Sequence, residues 1–405
     1  MTVLSAQLPV AAAFPAPVQV AASWRGREGL AFLDSSMRSG EQGRSMIAVE
    51  PESILRGRLM EDADGLKRLL KERKGEPGGL FGWVGFDGAF VFGVYDRTYV
   101  FDHARQVWCG EAPELGGGGD DETEGGLEGR LKFGPLMEKS DFCGRVERAL
   151  EYIAAGDIYQ VNLSYPWEAM WPEGRDAWGF YERLRAVSPA PHSAFYDLDG
   201  VQICCASPEC FLTMEGRRVV TRPIKGTRPR GADAASDWSQ AADLLASPKE
   251  RAELVMITDL LRNDLGRVCE FGSVKVSGLC ELERYAQVQH LVSTVEGELR
   301  PEVDHVEALL QCFPGGSISG APKKRALEII GELEPNPRGI YTGAMGYFGF
   351  DGTSQFNIVI RTAWVQGDRM RFYTGAGIVA DSVPEREWEE TQHKAAGLLK
   401  AAERF

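Results

Sequence analysis

An α+β fold is what the sequence predicts, on three observations. Segments rich in β-branched and aromatic residues are interspersed with amphipathic segments, without the regular βαβ spacing of a doubly wound sheet. Two segments open on helix-start signals. The composition, 43% hydrophobic and 26% charged over 405 residues, is a globular mixture that can bury a large core without disulfides or a structural metal.

In chain order, residues 81–86 and 99–101 read as strands. Gly116-Gly117-Gly118-Gly119-Asp120-Asp121-Glu122, continuing to Gly126, is acidic, lacks apolar anchors and reads as an exposed loop. It divides an N-terminal region, 1–125, that packs on the rest, from a catalytic region, 130–405; it can equally be an insertion in one domain. Residues 201–205, 218–221, 344–350, 355–362 and 371–374 carry strand composition. Ser247-Pro248-Lys249-Glu250 is a capping box with Pro at the first helical position. Leu254, Val255, Thr258, Leu261 and Leu265 continue it as an apolar stripe. Ser382-Val383-Pro384-Glu385 is a second box, opening a helix through about Lys400.

Charge and cysteine usage exclude several classes. Asp plus Glu number 59 against 45 Lys plus Arg, a net charge of −14, which disfavours nucleic-acid binding. A local basic pocket for a small anion is still allowed. Cys109, Cys143, Cys204, Cys205, Cys210, Cys269, Cys280 and Cys312 show no Cys-x-x-Cys or zinc spacing, and read as reduced thiols of a cytoplasmic protein. The apolar stretch at 10–14 has no basic residue before it and is broken by Pro9, Pro15 and Pro17, unlike a secretory signal. No apolar run is long enough to span a membrane.

Several groups could carry chemistry, each with a plain structural alternative. Glu250 and Glu253 lie three apart on one predicted helix, and Glu387 and Glu390 on the other. Two such pairs could hold one hard divalent ion such as Mg²⁺, or be solvated surface glutamates, with Lys394 as an ion-pair partner of Glu390. Lys225, in Pro223-Ile224-Lys225-Gly226-Thr227-Arg228, is a nucleophile if its surroundings are apolar, and otherwise a turn lysine. The glycine-rich Phe313-Pro314-Gly315-Gly316-Ser317-Ile318-Ser319-Gly320-Ala321-Pro322-Lys323 opens a predicted helix. It could offer backbone N–H groups to an anion, yet is no P-loop. Gly375-Ala376-Gly377 is a close-approach segment or a tight turn. Tyr341 and Arg361 form a carboxylate clamp or, separately, a core aromatic and a strand-edge charge. His290 is a half-buried structural histidine or part of the site. Glu209, in Ser207-Pro208-Glu209-Cys210, is a buried acid or a turn residue.

Taken in order, these blocks resemble the chorismate-utilising enzymes, the family of the anthranilate, aminodeoxychorismate, isochorismate and salicylate synthases. The resemblance is dense over about 140–400. It also rests on Gly156-Asp157-Ile158-Tyr159-Gln160-Val161-Asn162-Leu163-Ser164, Val288-Gln289-His290-Leu291 and Tyr341-Thr342-Gly343-Ala344. Near the front, Phe32-Leu33-Asp34-Ser35-Ser36 looks like the family's early strand. It departs from the Leu-Leu-Glu-Ser element of tryptophan-sensitive members, so the resemblance does not extend to feedback inhibition by tryptophan.

The fold implied is α+β with two large packed antiparallel sheets and helices outside. The resemblance implies that Glu253 and Glu390 ligate Mg²⁺, with Glu250 and Glu387 supporting through water. Tyr341 and Arg361 would grip the enolpyruvyl carboxylate. Gly226, Thr227, His290, Ser317, Gly375, Ala376, Gly377 and Lys394 would bind substrate, and Glu209 would protonate the departing C4 hydroxyl. Gln160 stands where water-adding members carry a lysine base, which implies an ammonia user. Lys225 stands where the anthranilate-forming members have alanine. That implies covalent amination to 4-amino-4-deoxychorismate, for 4-aminobenzoate and folate synthesis. The ammonia would come from a separate glutamine amidotransferase subunit. Anthranilate formation is the alternative within the family. A non-catalytic chorismate or tryptophan sensor is an alternative of another class, disfavoured by the intact Lys225, Glu209, Glu253 and Glu390.

Overall fold

The computed structural model describes residues 15–35, 43–116, 131–285 and 288–403. Residues 117–126 of the acidic glycine stretch, the apolar run at 10–14 and Ser36 lie outside the described residues. Among the described residues, the strands form two antiparallel sheets, of eleven and ten strands. The larger runs, in spatial order, Gly320–Ala321, Gln160–Met170, Arg369–Ile378, Thr362–Gln366, Val201–Ser207, His192–Leu198, Ala31–Asp34, Arg44–Ala48, Tyr99–Asp102 and Val107–Cys109, with Gly134–Pro135 paired to Gln160–Met170 as the eleventh. The smaller runs Ile224–Pro229, Val288–Glu298, Arg218–Arg222, Cys210–Glu215, Thr353–Ile358, Ala344–Gly349, Gly79–Val84, Ala89–Tyr95 and Ser53–Arg58, with Lys275–Arg284 paired to Val288–Glu298 as the tenth. Strands from both the front and the back of the chain therefore build both sheets.

The strand alternation dictates the layering. One face of each sheet meets the other sheet in a shared core that includes Phe81, Trp83, Tyr196, Ile203 and Met345. Trp83 meets Tyr196 edge to face at 6.2 Å, and the Tyr196 hydroxyl donates to the Gly346 carbonyl at 2.8 Å. The outer face of the larger sheet packs on helices through residues such as Phe142, Trp178, Ile329 and Leu398. The outer face of the smaller sheet packs on others through Leu66, Leu265 and Leu309. Among the described residues, no helix is long and apolar enough to cross a membrane.

Local expectations are corrected in three places. Residues 355–362 are not one strand: Thr353–Ile358 belongs to the smaller sheet and Thr362–Gln366 to the larger. The chain crosses between sheets where Arg361 takes φ 53°, which no strand can propagate. The second capping box does not form. Val383 is the N-cap of helix Pro384–Ala402, and the Ser382 hydroxyl donates to Glu387 instead. On helix Pro248–Gly266, Leu254, Thr258, Leu261 and Leu265 are buried, but Val255 is exposed. Ser247 does cap that helix, accepting from the Glu250 N–H at 3.4 Å.

A buried charge pair joins the elements around one end of the larger sheet. The Glu334 carboxylate accepts from Arg338 Nε at 2.8 Å and Nη2 at 2.7 Å. The remaining Arg338 donors reach the carbonyls of Ile318 and Asn162 and the Thr342 hydroxyl. Its guanidinium also lies over the Phe86 ring at 4.4 Å. All five donors are thereby used. Removing one partner leaves a buried charge uncompensated, which costs about 3–5 kcal/mol. Glu334→Leu should therefore lower unfolding free energy in urea by about that amount, whereas breaking an exposed pair such as Arg148–Glu151 should leave the urea curve almost unmoved.

Candidate active site

A cavity of about 660 Å³ lies where strand Ile224–Pro229, helices Pro248–Gly266 and Pro384–Ala402, and the end of the larger sheet meet. Strand Ile224–Pro229 is an edge strand with a bulge. Lys225 stands opposite Leu291 and Thr227 opposite His290, so Gly226 is the extra residue. Its φ of 67° suits glycine, and a Cβ there would sit 2.6 Å from the Leu244 side chain. The bulge brings Thr227 Oγ1 to 3.0 Å from His290 Nδ1. Burial lowers the His290 pKa, so the ring is neutral at pH 7.

Lys225 is largely buried and its Nζ lies 3.9 Å from Glu253 Oε2. Burial pushes the Glu253 carboxyl up, with Lys225 and Lys249 opposing and Glu250 and Glu390 adding to it. Glu250 lies 3.7 Å from Arg228. Across the cavity, Lys394 Nζ contacts Glu390 Oε1 at 2.6 Å and donates to the Gly375 carbonyl at 2.9 Å. Burial acts to raise Glu390, but Lys394 outweighs it and the carboxyl titrates low.

The floor is strand pairing without side chains on one strand. Gly377 faces Asn162 and Gly375 faces Ser164 across the ladder. A Cβ on Gly377 would lie 2.4 Å from Gln160 Nε2, and one on Gly375 2.9 Å from Asn162 Oδ1. The glycines thus leave room for the neighbouring strand's amides. The glycine-rich stretch forms another wall. Ser317 and Ile318 line the cavity, while Gly320–Ala321 pairs with Gln160 and Val161 instead of serving as a helix N-terminus.

Tyr341 and Arg361 line the cavity together. The Tyr341 ring stacks on Tyr373 at 5.2 Å, and burial holds its phenol neutral, with a pKa of about 12. Burial lowers Arg361, whose Nη1 donates to the Lys394 carbonyl at 3.0 Å. Among the described residues it forms no ion pair, which suits a substrate carboxylate. Glu209 is 6% exposed. Burial raises it from 4.5 to about 7, against a Ser317 hydrogen bond and the Lys225 charge.

Two expected residues stand off the cavity wall. Ala376 alternates with the glycines and turns into the helix-covered core. Glu387 is buried against Ser382 Oγ at 2.7 Å, so it could act on an ion in the cavity only at a remove. Lys249, Tyr285, Tyr373 and His393 also line the cavity and were not singled out in the sequence. Lys249 sits inside the first capping box and Tyr373 inside a predicted strand, so each carried only an element signal.

Among the described residues, no three His, Cys, Asp or Glu side chains cluster closely enough to hold a metal ion. Glu253 and Glu390 nevertheless face one cavity from two helices. Two carboxylates plus water and substrate oxygens make a donor set that Mg²⁺ accepts, so the residues fit that ion.

Comparison with known proteins gives the same class. The chorismate binding enzyme family matches residues 80–400, and the chain belongs to that family. Anthranilate synthase component 1 of Thermus thermophilus is 40% identical, over 92% of each chain. Aminodeoxychorismate synthase component 1 of Bacillus subtilis is 42% identical, over 74% of this chain and 62% of that protein. The crystal structure of anthranilate synthase component I from Streptococcus pneumoniae superposes with a TM-score of 0.75. It is 31% identical, with 90% of this chain and 93% of that one covered. The Escherichia coli isochorismate synthase MenF shares the fold, with a TM-score of 0.76 at 20% identity over 97% of this chain and 92% of that one. The chain is a chorismate-utilising enzyme with the two-sheet fold of those relatives.

The raised Glu209 makes a signed prediction about stability. Between pH 4.5 and about 7 the folded protein holds a proton that the unfolded chain releases. Its stabilising contribution is complete below that window and is lost as pH rises through it. Wild type should therefore lose on the order of 3 kcal/mol relative to Glu209→Gln across the window. Denaturant titrations at a series of pH values check this, and parallel curves would contradict the buried acid.

Proposed function

We propose that this chain is component I of an aminodeoxychorismate synthase, which replaces the C4 hydroxyl of chorismate by ammonia. Lys225 carries the reading: an amine largely buried in the cavity, close enough to Glu209 to affect its titration. Lys225, as a free amine, attacks ring C2; the two conjugated ring double bonds each shift by one bond and the C4–O bond breaks. Glu209 gives the departing hydroxyl its proton, and water leaves. Ammonia then attacks C4, both double bonds shift back and the C2–N bond to Lys225 breaks. The proton shed by the new amine returns to Glu209. One hard displacement is thus divided into two.

Tyr341 and Arg361 hold the enolpyruvyl carboxylate. Glu253 and Glu390 are the residues that would hold Mg²⁺, with Glu250 and Glu387 supporting through water. The ion, when bound, supplies positive charge for the ring carboxylate. His290, Thr227, Ser317 and Lys394 bind the substrate's oxygens, while Gly226, Gly375 and Gly377 admit its ring, with Ala376 contributing backbone alone.

The ammonia comes from a separate glutamine amidotransferase subunit. Burial raises the thiol pKa of Cys204, Cys205, Cys210, Cys269 and Cys312, the opposite of what a glutaminase nucleophile needs. The product would then feed 4-aminobenzoate and folate synthesis in the cytoplasm. Anthranilate formation is the second reading, favoured by the Thermus thermophilus relative that matches over 92% of each chain.

The test is product identity from chorismate, Mg²⁺ and ammonium. 4-Amino-4-deoxychorismate is expected; anthranilate with pyruvate would select the second reading. Lys225→Ala should lose roughly 10³-fold or more in C4 amination, the scale on which removing a covalent nucleophile acts. An adduct on Lys225 should be trappable by mass spectrometry.

A separate measurement addresses the ion. EDTA should abolish turnover and added Mg²⁺ restore it. Glu253→Ala and Glu390→Ala should each weaken Mg²⁺ binding in calorimetry. Full activity of both variants in chelator would remove the ion from the site.

A further inference from the structure

We propose that Tyr373 is a positioning residue of the substrate clamp: its ring sets the tilt of Tyr341 and so aims the Tyr341 hydroxyl at the substrate carboxylate. This rests on the reading of Tyr341 as part of that clamp. Tyr341 is buried and lines the cavity. Among the described residues its hydroxyl makes no hydrogen bond. Arg338 lies 6.0 Å from the ring, with its donors spent on other partners. No polar contact therefore orients the phenol, and the packing of its ring must do so.

Tyr373 supplies that packing. The two ring centroids are 5.2 Å apart and the planes differ by 16°. Trp364 in turn stacks on Tyr373 at 5.9 Å and 6°. The Tyr373 hydroxyl donates to the Pro337 carbonyl at 2.7 Å. Pro337 lies shortly before Tyr341 in the connection between helix Lys323–Leu333 and strand Ala344–Gly349. Tyr373 thus holds the segment that carries Tyr341 as well as the Tyr341 ring.

The backbone of Tyr373 is fixed as well. Strand Arg369–Ile378 is paired on both sides, to Gln160–Met170 and to Thr362–Gln366. Tyr373, Gly375 and Gly377 alternate along it and share the face that lines the cavity. One large ring followed by two bare positions walls the floor at the clamp end and leaves the rest open. With its proton given to Pro337, Tyr373 has no donor left for a carboxylate, so its effect on substrate passes through Tyr341.

The experiment is steady-state chorismate consumption by the full chain with Mg²⁺ and ammonium, read as KM and kcat in a double-mutant cycle. Tyr341→Phe should raise the chorismate KM roughly tenfold, the worth of one hydrogen bond to a charged group. Tyr373→Leu should raise it about as far, with kcat little changed. Tyr373→Phe keeps the stack and loses only the anchor, so it should recover most of the affinity. In the Tyr341→Phe background, Tyr373→Leu should move the KM by less than about twofold. Thermal unfolding checks the variants, and Tyr373→Met, which fills more of the space, replaces Tyr373→Leu if that one does not fold. Equal effects of the Tyr373 change in both backgrounds would make the ring general packing and overturn the proposal, with the clamp left standing. A Tyr373→Phe KM as high as that of Tyr373→Leu would deny the stack its part and overturn it too. An unchanged KM in Tyr341→Phe would overturn clamp and proposal together. Because the readout is loss of chorismate, these outcomes hold whichever carbon receives the nitrogen.

Discussion

The Arg338–Glu334 pair is the constraint on which the cavity depends. A guanidinium that is 3% exposed must spend every donor inside the protein, because water cannot reach it. Its partners are the carbonyl beneath Asn162, the carbonyl of Ile318 in the glycine-rich wall and the Thr342 hydroxyl next to Tyr341. Glu334 in turn accepts from the Ser164 N–H at 2.7 Å and its hydroxyl at 3.0 Å. Three walls of the site are thus fixed relative to one another by one side chain and its counter-ion. Such an arrangement holds a site more by geometry than by net stabilisation, since desolvation offsets much of the Coulombic gain.

Charged groups at the cavity stand in pairs of opposite sign. Lys225 stands beside Glu253, and Lys394 bonds Glu390. Each lysine lies against a carboxylate that would otherwise face its neighbours and an anionic substrate unpaired. Arg361 is the contrast, since its side chain meets a carbonyl and no anion among the described residues. A dicarboxylate such as chorismate therefore meets Arg361 unpaired and two lysines, Lys225 and Lys394, that are already engaged. Binding such a substrate requires the lysine contacts to be shared or exchanged.

Much of this was legible in the chain, for identifiable reasons. Strand composition located residues 201–205, 218–221 and 344–350, because these strands are half or fully buried and rich in β-branched and aromatic residues. The same composition could not show that residues 355–362 change sheets, since the reversal depends on a single φ at Arg361. Lys225, Gly226, Glu253 and Glu390 were visible as motif residues, and the fold gathers them around one cavity. Glu387 was placed with Glu390 by helical spacing, yet Ser382 captures it; a serine one residue outside a helix can cap it or bond a side chain further in, and only packing decides. Arg338 carried no local signal. Glu334 and Thr342 lie four residues to either side of it, but the carbonyls of Ile318 and Asn162 that complete its shell are far off in the chain, beyond any local window.

The bulge at Gly226 makes the site sensitive to residue count as well as residue type. Up to Lys225 the strand pairs in one phase with Val288–Glu298, and from Thr227 onward it pairs in the other. Thr227 meets His290 because of that phase change, and Arg228 reaches Asp243 at 2.7 Å and Glu250 at 3.7 Å within the shifted segment. Deleting the single glycine would keep every functional side chain but restore an unbroken alternation. The hydroxyl would keep its cross-strand neighbour and the lysine would keep its own, but the bend and extra twist that the bulge gives this edge of the cavity would be lost. A frame of this kind accepts changes of chemistry at position 225 far more readily than a change in chain length, so lysine or alanine can occupy one unaltered backbone.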